Sequence, residues 1–147
     1  MRCVVDQSGK VEHTNKLTVV AFSNGIQKSL VISAVEKRKL LVAMRERDYP
    51  KQLFVFKVFS ALVFLLIRRE RIDELVIDRE YPGHEGIIKD VLGGLFRGVG
   101  LSTPSIVFDE IGKGDAAHKA AIAVYRGKQK PNMIVTSGDV LRLFYGK

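Results

Sequence analysis

Three aspartates and a histidine hold the positions where chemistry could gather in this chain: Asp6, Asp78, Asp115 and His118. Asp6 follows the apolar run "CVV" two residues ahead of a Ser-Gly turn, and Asp78 closes "ELVI" in a similar way. Asp115 opens the small-residue stretch "DAAHKAAIAV", with His118 three positions further on. If that stretch is a helix, positions i and i+3 share a face, so both side chains can serve one site. Functional groups in an open α/β sheet collect at strand ends and helix starts, which is where all four would lie.

Two carboxylates held side by side repel, and one takes up a proton unless a cation joins them. Hard oxygen ligands suit Mg²⁺ or Mn²⁺. Two such ions about 4 Å apart activate water and stabilise a leaving oxygen in phosphodiester hydrolysis. Asp6 and Asp78 would share such an ion, and Asp115 or His118 could complete the set. Read one at a time, Asp6 is also a turn former, Asp78 a strand-end cap and Asp115 a helix N-cap. Glu80, Asp109 and Glu110 are the acids that could stand in for Asp115, although a solvated strand end is the expectation for Glu80. His13 and His84 have no metal spacing to each other or to Cys3, so zinc is not expected.

These residues need elements to position them. "RCVVDQSG", "KLTVVAFSNG" and "QKSLVISAVEK" read as three strands, and Asn24-Gly25 is a strong hairpin signal. "KRKLLVAMRERD" could prolong the third strand or form a helix, with Pro50 ending it either way. The apolar stretch from about Lys51 to Arg69 predicts a helix. "DELVID" is a strand, "HEGIIKDVLGGLFRG" a helix, "PSIVFDE" a strand and "DAAHKAAIAVYRGK" a helix able to approach a sheet closely. The tail predicts a short extended piece and a last helix capped near Thr136 or Ser137. If the helical crossover returns to the centre of the sheet, the first and fourth strands are neighbours and Asp6 meets Asp78.

With 147 residues, 46% hydrophobic and 27% charged, the composition is that of one ordinary globular domain. Lys and Arg number 24 against 16 acids, a formal charge of +8 that points to a polyanion, nucleic acid first. A single cysteine excludes a disulfide framework and makes a cytoplasmic setting the default. "MRCVVDQSGK" lacks the apolar core of a signal peptide. Leu53–Ile67 is shorter than the ~20 apolar residues of a spanning helix and contains Lys57, so no membrane partner is expected. "GKGD" opens a helix but has no Walker A spacing, which argues against nucleotide hydrolysis.

The β-β-β-α-β-α-β-α order, with "VVDQSGK" on the first strand and "LVIDREY" on the fourth, resembles the ribonuclease H-like superfamily. That superfamily includes ribonucleases H, Holliday-junction resolvases, transposases and the nuclease domain of Argonaute proteins. "GDAAHKAAIAV" is similar to the last-helix motif of the resolvases. The resemblance implies a mixed five-stranded sheet, three antiparallel strands then two crossover strands, with helices on both faces. It covers about residues 2–127 and leaves 128–147 as a C-terminal extension of a single domain. It also implies a nuclease in which Asp6, Asp78, Asp115 and His118 bind Mg²⁺ or Mn²⁺. Ribonucleases H carry a glutamate on their first helix; here only Glu70 stands at the end of the helix over 51–69.

That difference keeps open a catalytically inactive nucleic-acid-binding module of the same fold. A protein-interaction or oligomerisation domain, forming a homodimer through a partly exposed Leu53–Ile67 helix, is the other alternative. A toprim-like nuclease or primase fits poorly because of the initial hairpins.

Overall fold

The computed structural model describes residues 2–47 and 51–146, with the side chains of Lys51 and Gln52 outside the description. Strands β1 (Arg2–Ser8), β2 (Thr18–Ser23) and β3 (Gln27–Ile32) form an antiparallel meander. The β2–β3 turn uses Asn24, whose Oδ1 accepts from Ile26 N at 3.4 Å, and Gly25 at φ +103°. That left-handed value suits glycine. Two helices follow, α1 (Ala34–Arg45) and α2 (Lys51–Ile67).

The chain then returns to the middle of the sheet. Strand β4 (Glu74–Asp78) pairs in parallel with β1, matching Val5 to Ile77. Helix α3 (Glu85–Gly98) leads to β5 (Ser105–Asp109), parallel to β4 on its outer side. Helix α4 (Ala116–Tyr125), strand β6 (Met133–Val135) and helix α5 (Ser137–Tyr145) complete the order.

The expected α/β class and mixed sheet are present, but the sheet has six strands rather than five, in the order β5-β4-β1-β2-β3-β6. The sixth comes from the tail, where β6 pairs in parallel with the outer edge of β3. Asn132 guides it there: its N–H donates to Ser29 O at 3.0 Å and its Oδ1 accepts from Ser29 N at 2.9 Å. A side-chain amide thus continues the ladder for one more residue.

Helices cover both faces, as expected. On one face α2 supplies Phe59, Leu62 and Phe64, packed with Val5, Phe22, Leu30 and Ile77; Leu40 of α1, Ile88 and Leu92 of α3 and Val140 of α5 join the same core. The other face carries α4 alone among the described helices, where Ala121 and Val124 meet Val19 and Ala21. Small side chains let this helix lie close to the strands. From Leu53 to Ile67, α2 is buried except at Leu53, Val55 and Lys57, which are intermediate. Among the described residues, no helix is long and apolar enough to cross a membrane.

The ambiguous segment is helical. Ser33 caps α1 by accepting from Glu36 N, and Lys37, Leu40 and Met44 share its buried stripe. Lys37 is 0% exposed, and its ammonium donates to Lys10 O, His13 O and Thr18 Oγ1 at 3.2, 2.8 and 2.9 Å. Burial pushes this amine down to about 8, with the charge of Glu12 opposing. One cation therefore fastens the 9–17 loop to α1, directly beyond the C-terminal end of β1.

Candidate functional site

The parallel β1–β4 pairing puts the carboxyl ends of both strands at the same edge, and Asp6 and Asp78 come with them. Asp6 is 3% exposed and points to the α4 face. Its Oδ1 accepts from Gln7 N at 2.8 Å, and its Oδ2 lies 2.8 Å from His118 Nδ1. His118 reaches it from the first turn of α4, which the small-residue packing holds against the sheet. Burial pushes the Asp6 carboxyl above its ordinary value; the His118 hydrogen bond opposes this and the Asp78 charge adds to it.

Asp78 is fixed by the next loop, since its Oδ1 accepts from Ile111 N at 2.8 Å. Beyond Asp78 the chain turns sharply. Arg79 N donates to Asp109 O at 2.9 Å, and Glu80 N donates back to Asp78 O at 2.8 Å. An i to i+2 closure of this kind is a γ-type turn. It swings Glu80 over the strand end instead of out into solvent.

Asp6, Asp78 and Glu80 each then offer an oxygen within 4.8 Å of the others. Glu80 is half-buried, and its carboxyl is pushed up to about 7 by burial, a hydrogen bond with Asp78, and the charges of Asp78 and Asp6, with Lys10 opposing. Three acids crowded in this way are at odds with one another unless protons or a cation intervene. Oxygens on one octahedral Mg²⁺ stand about 3 Å apart when adjacent and about 4.2 Å when opposite, so three oxygens within 4.8 Å of one another are in range of a single hard ion but must close in to share it. The donor set is all oxygen and suits Mg²⁺ or Mn²⁺.

Of the four residues singled out in the sequence, Asp6, Asp78 and His118 meet here. Asp115 stands instead as the N-cap of α4, with Oδ1 accepting from Ala117 N at 2.8 Å, and is not one of the three gathered carboxylates. Asp109 and Glu110 are exposed, and Asp109 Oδ1 accepts from Glu110 N at 2.8 Å. The first helix does carry a glutamate, Glu36, but its Oε1 accepts from Ser137 N at 2.7 Å at the start of α5. That bond, with Lys39, holds the Glu36 carboxyl below its usual range. Glu80 is the acid that the sequence reading undervalued. Its only signal was the Asp-x-Glu spacing at a strand end, and strand alternation says nothing about a chain that turns back on itself.

Beside the acids lies a different kind of surface. Tyr81, 9% exposed, receives Gln7 Nε2 on its hydroxyl and donates to Glu12 Oε1, both at 3.0 Å. Phe56 and Phe59 meet its ring edge-on, and Phe56 stacks against His84 with centroids 4.4 Å apart. No protein-family model and no curated protein matches this sequence.

Proposed function

We propose that this chain is a divalent-metal-dependent nuclease built on a ribonuclease H-like sheet. The observation that carries the reading is the convergence of Asp6, Asp78 and Glu80 at one strand edge, within ligand reach of one another. The sheet order, with a central β1 flanked by antiparallel β2 and parallel β4, supports the fold assignment. The charge of +8 supports a phosphate-rich substrate.

In this reading Asp6, Asp78 and Glu80 hold Mg²⁺ or Mn²⁺. When bound, the ion supplies Lewis-acid charge to the phosphate and to water. Asp6 has a second task. Its Oδ2 engages His118 Nδ1 at 2.8 Å, which fixes the imidazole and leaves Nε2 facing away from the aspartate. Nε2 is then the atom that can take a proton or complete a ligand set. Asp115 acts indirectly, by starting α4 and so placing His118 in its first turn. Lys10, on the loop fastened by Lys37, and Lys113, in the loop after Ile111, lie at this end of the sheet and meet the substrate backbone.

The test is cleavage of labelled single-stranded, duplex, hybrid and junction nucleic acids with millimolar Mg²⁺ or Mn²⁺. Cleavage that chelator removes, and that Asp6→Asn abolishes in a folded protein, is the expected result. A fully active Asp6→Asn protein overturns the mechanism. Salt-sensitive binding with no cleavage of any substrate would replace it with the inactive binding module.

A further inference from the structure

A cleft of about 410 Å³ adjoins the acidic trio and is lined by Glu12, Phe56, Glu80, Tyr81, Pro82 and His84 among others. Three of its lining side chains, Phe56, Tyr81 and His84, carry aromatic rings. Tyr81 is held at its hydroxyl by Gln7 and Glu12, and at its ring by Phe56 and Phe59. His84 is exposed, lies flat on Phe56 with an interplanar angle of 22°, and makes no side-chain cap bond to α3. Its presence as an exposed ring against a buried one is not explained by helix capping.

The cleft is also continuous with the acids. Glu80 belongs both to its lining and to the carboxylate trio, and Tyr81 is the next residue, one Cα step of about 3.8 Å further on. We infer that this cleft is a base-binding subsite: an unpaired nucleobase beside the scissile phosphate stacks against the His84–Phe56 pair and over Tyr81. The choice of a nucleic-acid ligand rests on the nuclease reading of the neighbouring carboxylates. Ring stacking accepts any base. The carboxylate of Glu12 in the lining is a hydrogen-bond acceptor and favours an edge bearing amino groups, guanine above uracil. A base enters only when it is out of a helix, so the subsite selects single-stranded or locally unpaired substrate over a continuous duplex.

The experiment uses the full chain with chelator present and reads the aromatic NMR resonances of Tyr81 and His84. The probes are GMP, guanosine and ribose 5-phosphate. GMP and guanosine are expected to shift the Tyr81 and His84 resonances saturably, while ribose 5-phosphate leaves them in place. His84→Ala should weaken GMP about tenfold, read at Tyr81, the loss expected from removing one stacking partner. His84→Phe should keep most of the affinity, and amide spectra of both variants report that the fold is intact. The inference is overturned if ribose 5-phosphate moves the same resonances as far as GMP, if neither GMP nor guanosine moves them, or if His84→Ala binds GMP unchanged. Because binding is read without metal and without turnover, an empty cleft leaves the cleavage test untouched, and an inactive protein leaves the cleft result standing.

Discussion

Glu80 titrates where few carboxylates do. Its folded value of about 7 lies above the ordinary 4.5, so between those two pH values the folded state holds a proton that the unfolded chain has released. The sign follows: this contribution to stability is complete below the ordinary value and is lost as pH rises through the folded one. Metal-free protein should therefore melt at a lower temperature at about pH 8 than at about pH 5, and Glu80→Gln should flatten that slope. Divalent metal competes with the same proton, so Mg²⁺ should raise the melting temperature more at the higher pH. Thermal melts across pH, with and without Mg²⁺, check all three; a Glu80→Gln slope equal to the parent's would remove Glu80 as the cause. At this scale Asp6, Asp78 and His118 were legible because strand register and helix periodicity place them. Glu80 was not, because a local backbone hydrogen bond from Glu80 N to Asp78 O decides its direction. Asp115 was legible twice over, as ligand and as cap, and the structure has it capping.

The elements that carry these residues depend on a few close contacts. Gly9 sits at φ +79°, and a Cβ there would stand 2.3 Å from Leu17 O and 2.6 Å from the Tyr125 ring. Gly9→Ala combines a strained backbone with a backbone clash and should cost about 2–4 kcal/mol, measured by denaturant unfolding. Ala121, 1% exposed between α4 and the sheet, is equally intolerant of size. Ala121→Leu should destabilise by about 1–3 kcal/mol and lift α4, so that metal affinity falls even though no ligand has changed. Calorimetric Mg²⁺ titration of the folded variant reads this, and unchanged affinity would show that α4 does not set the site. Lys37→Met keeps the apolar stem but leaves the acceptors around the ammonium without their donor, and a loss of about 3 kcal/mol is expected on unfolding. The same lysine obscured α1 in the sequence: a cation within the Leu40–Met44 stripe breaks the helical hydrophobic pattern, although it is fully buried. Strand β6 was expected as a short extended piece, but not as a member of the sheet. Three residues carry little propensity signal, and what makes them a strand is the open edge of β3 together with the amide of Asn132.

Across the whole molecule the sheet has two unlike ends. The acids lie where β1 and β4 finish, whereas Arg68, Arg69 and Arg71 follow α2 and precede the start of β4, at the opposite end. Neutralising Lys10 and Lys113 together should therefore weaken nucleic-acid binding more than neutralising Arg68 and Arg71. Equilibrium binding against salt concentration measures it. Each lost phosphate contact should lower the logarithmic salt slope by about 0.7–0.9, and equal losses from both pairs would place the strand elsewhere. The class and the two-sided helical cover were readable because long apolar periodicities and turn residues specify them, whereas the extra helix α1 between β3 and α2 reads in the sequence as either strand or helix. Strand count was not, since it depended on a contact between residues 29 and 132. The β1–β4 ladder joins Val5 to Ile77 across two intervening strands and two helices. During synthesis the opening hairpins must therefore wait with one side of their first strand bare, until more than half the chain has left the ribosome. No fragment ending before that point contains more than one of the three acids, so whatever the trio does is withheld until that late, long-distance zipper closes.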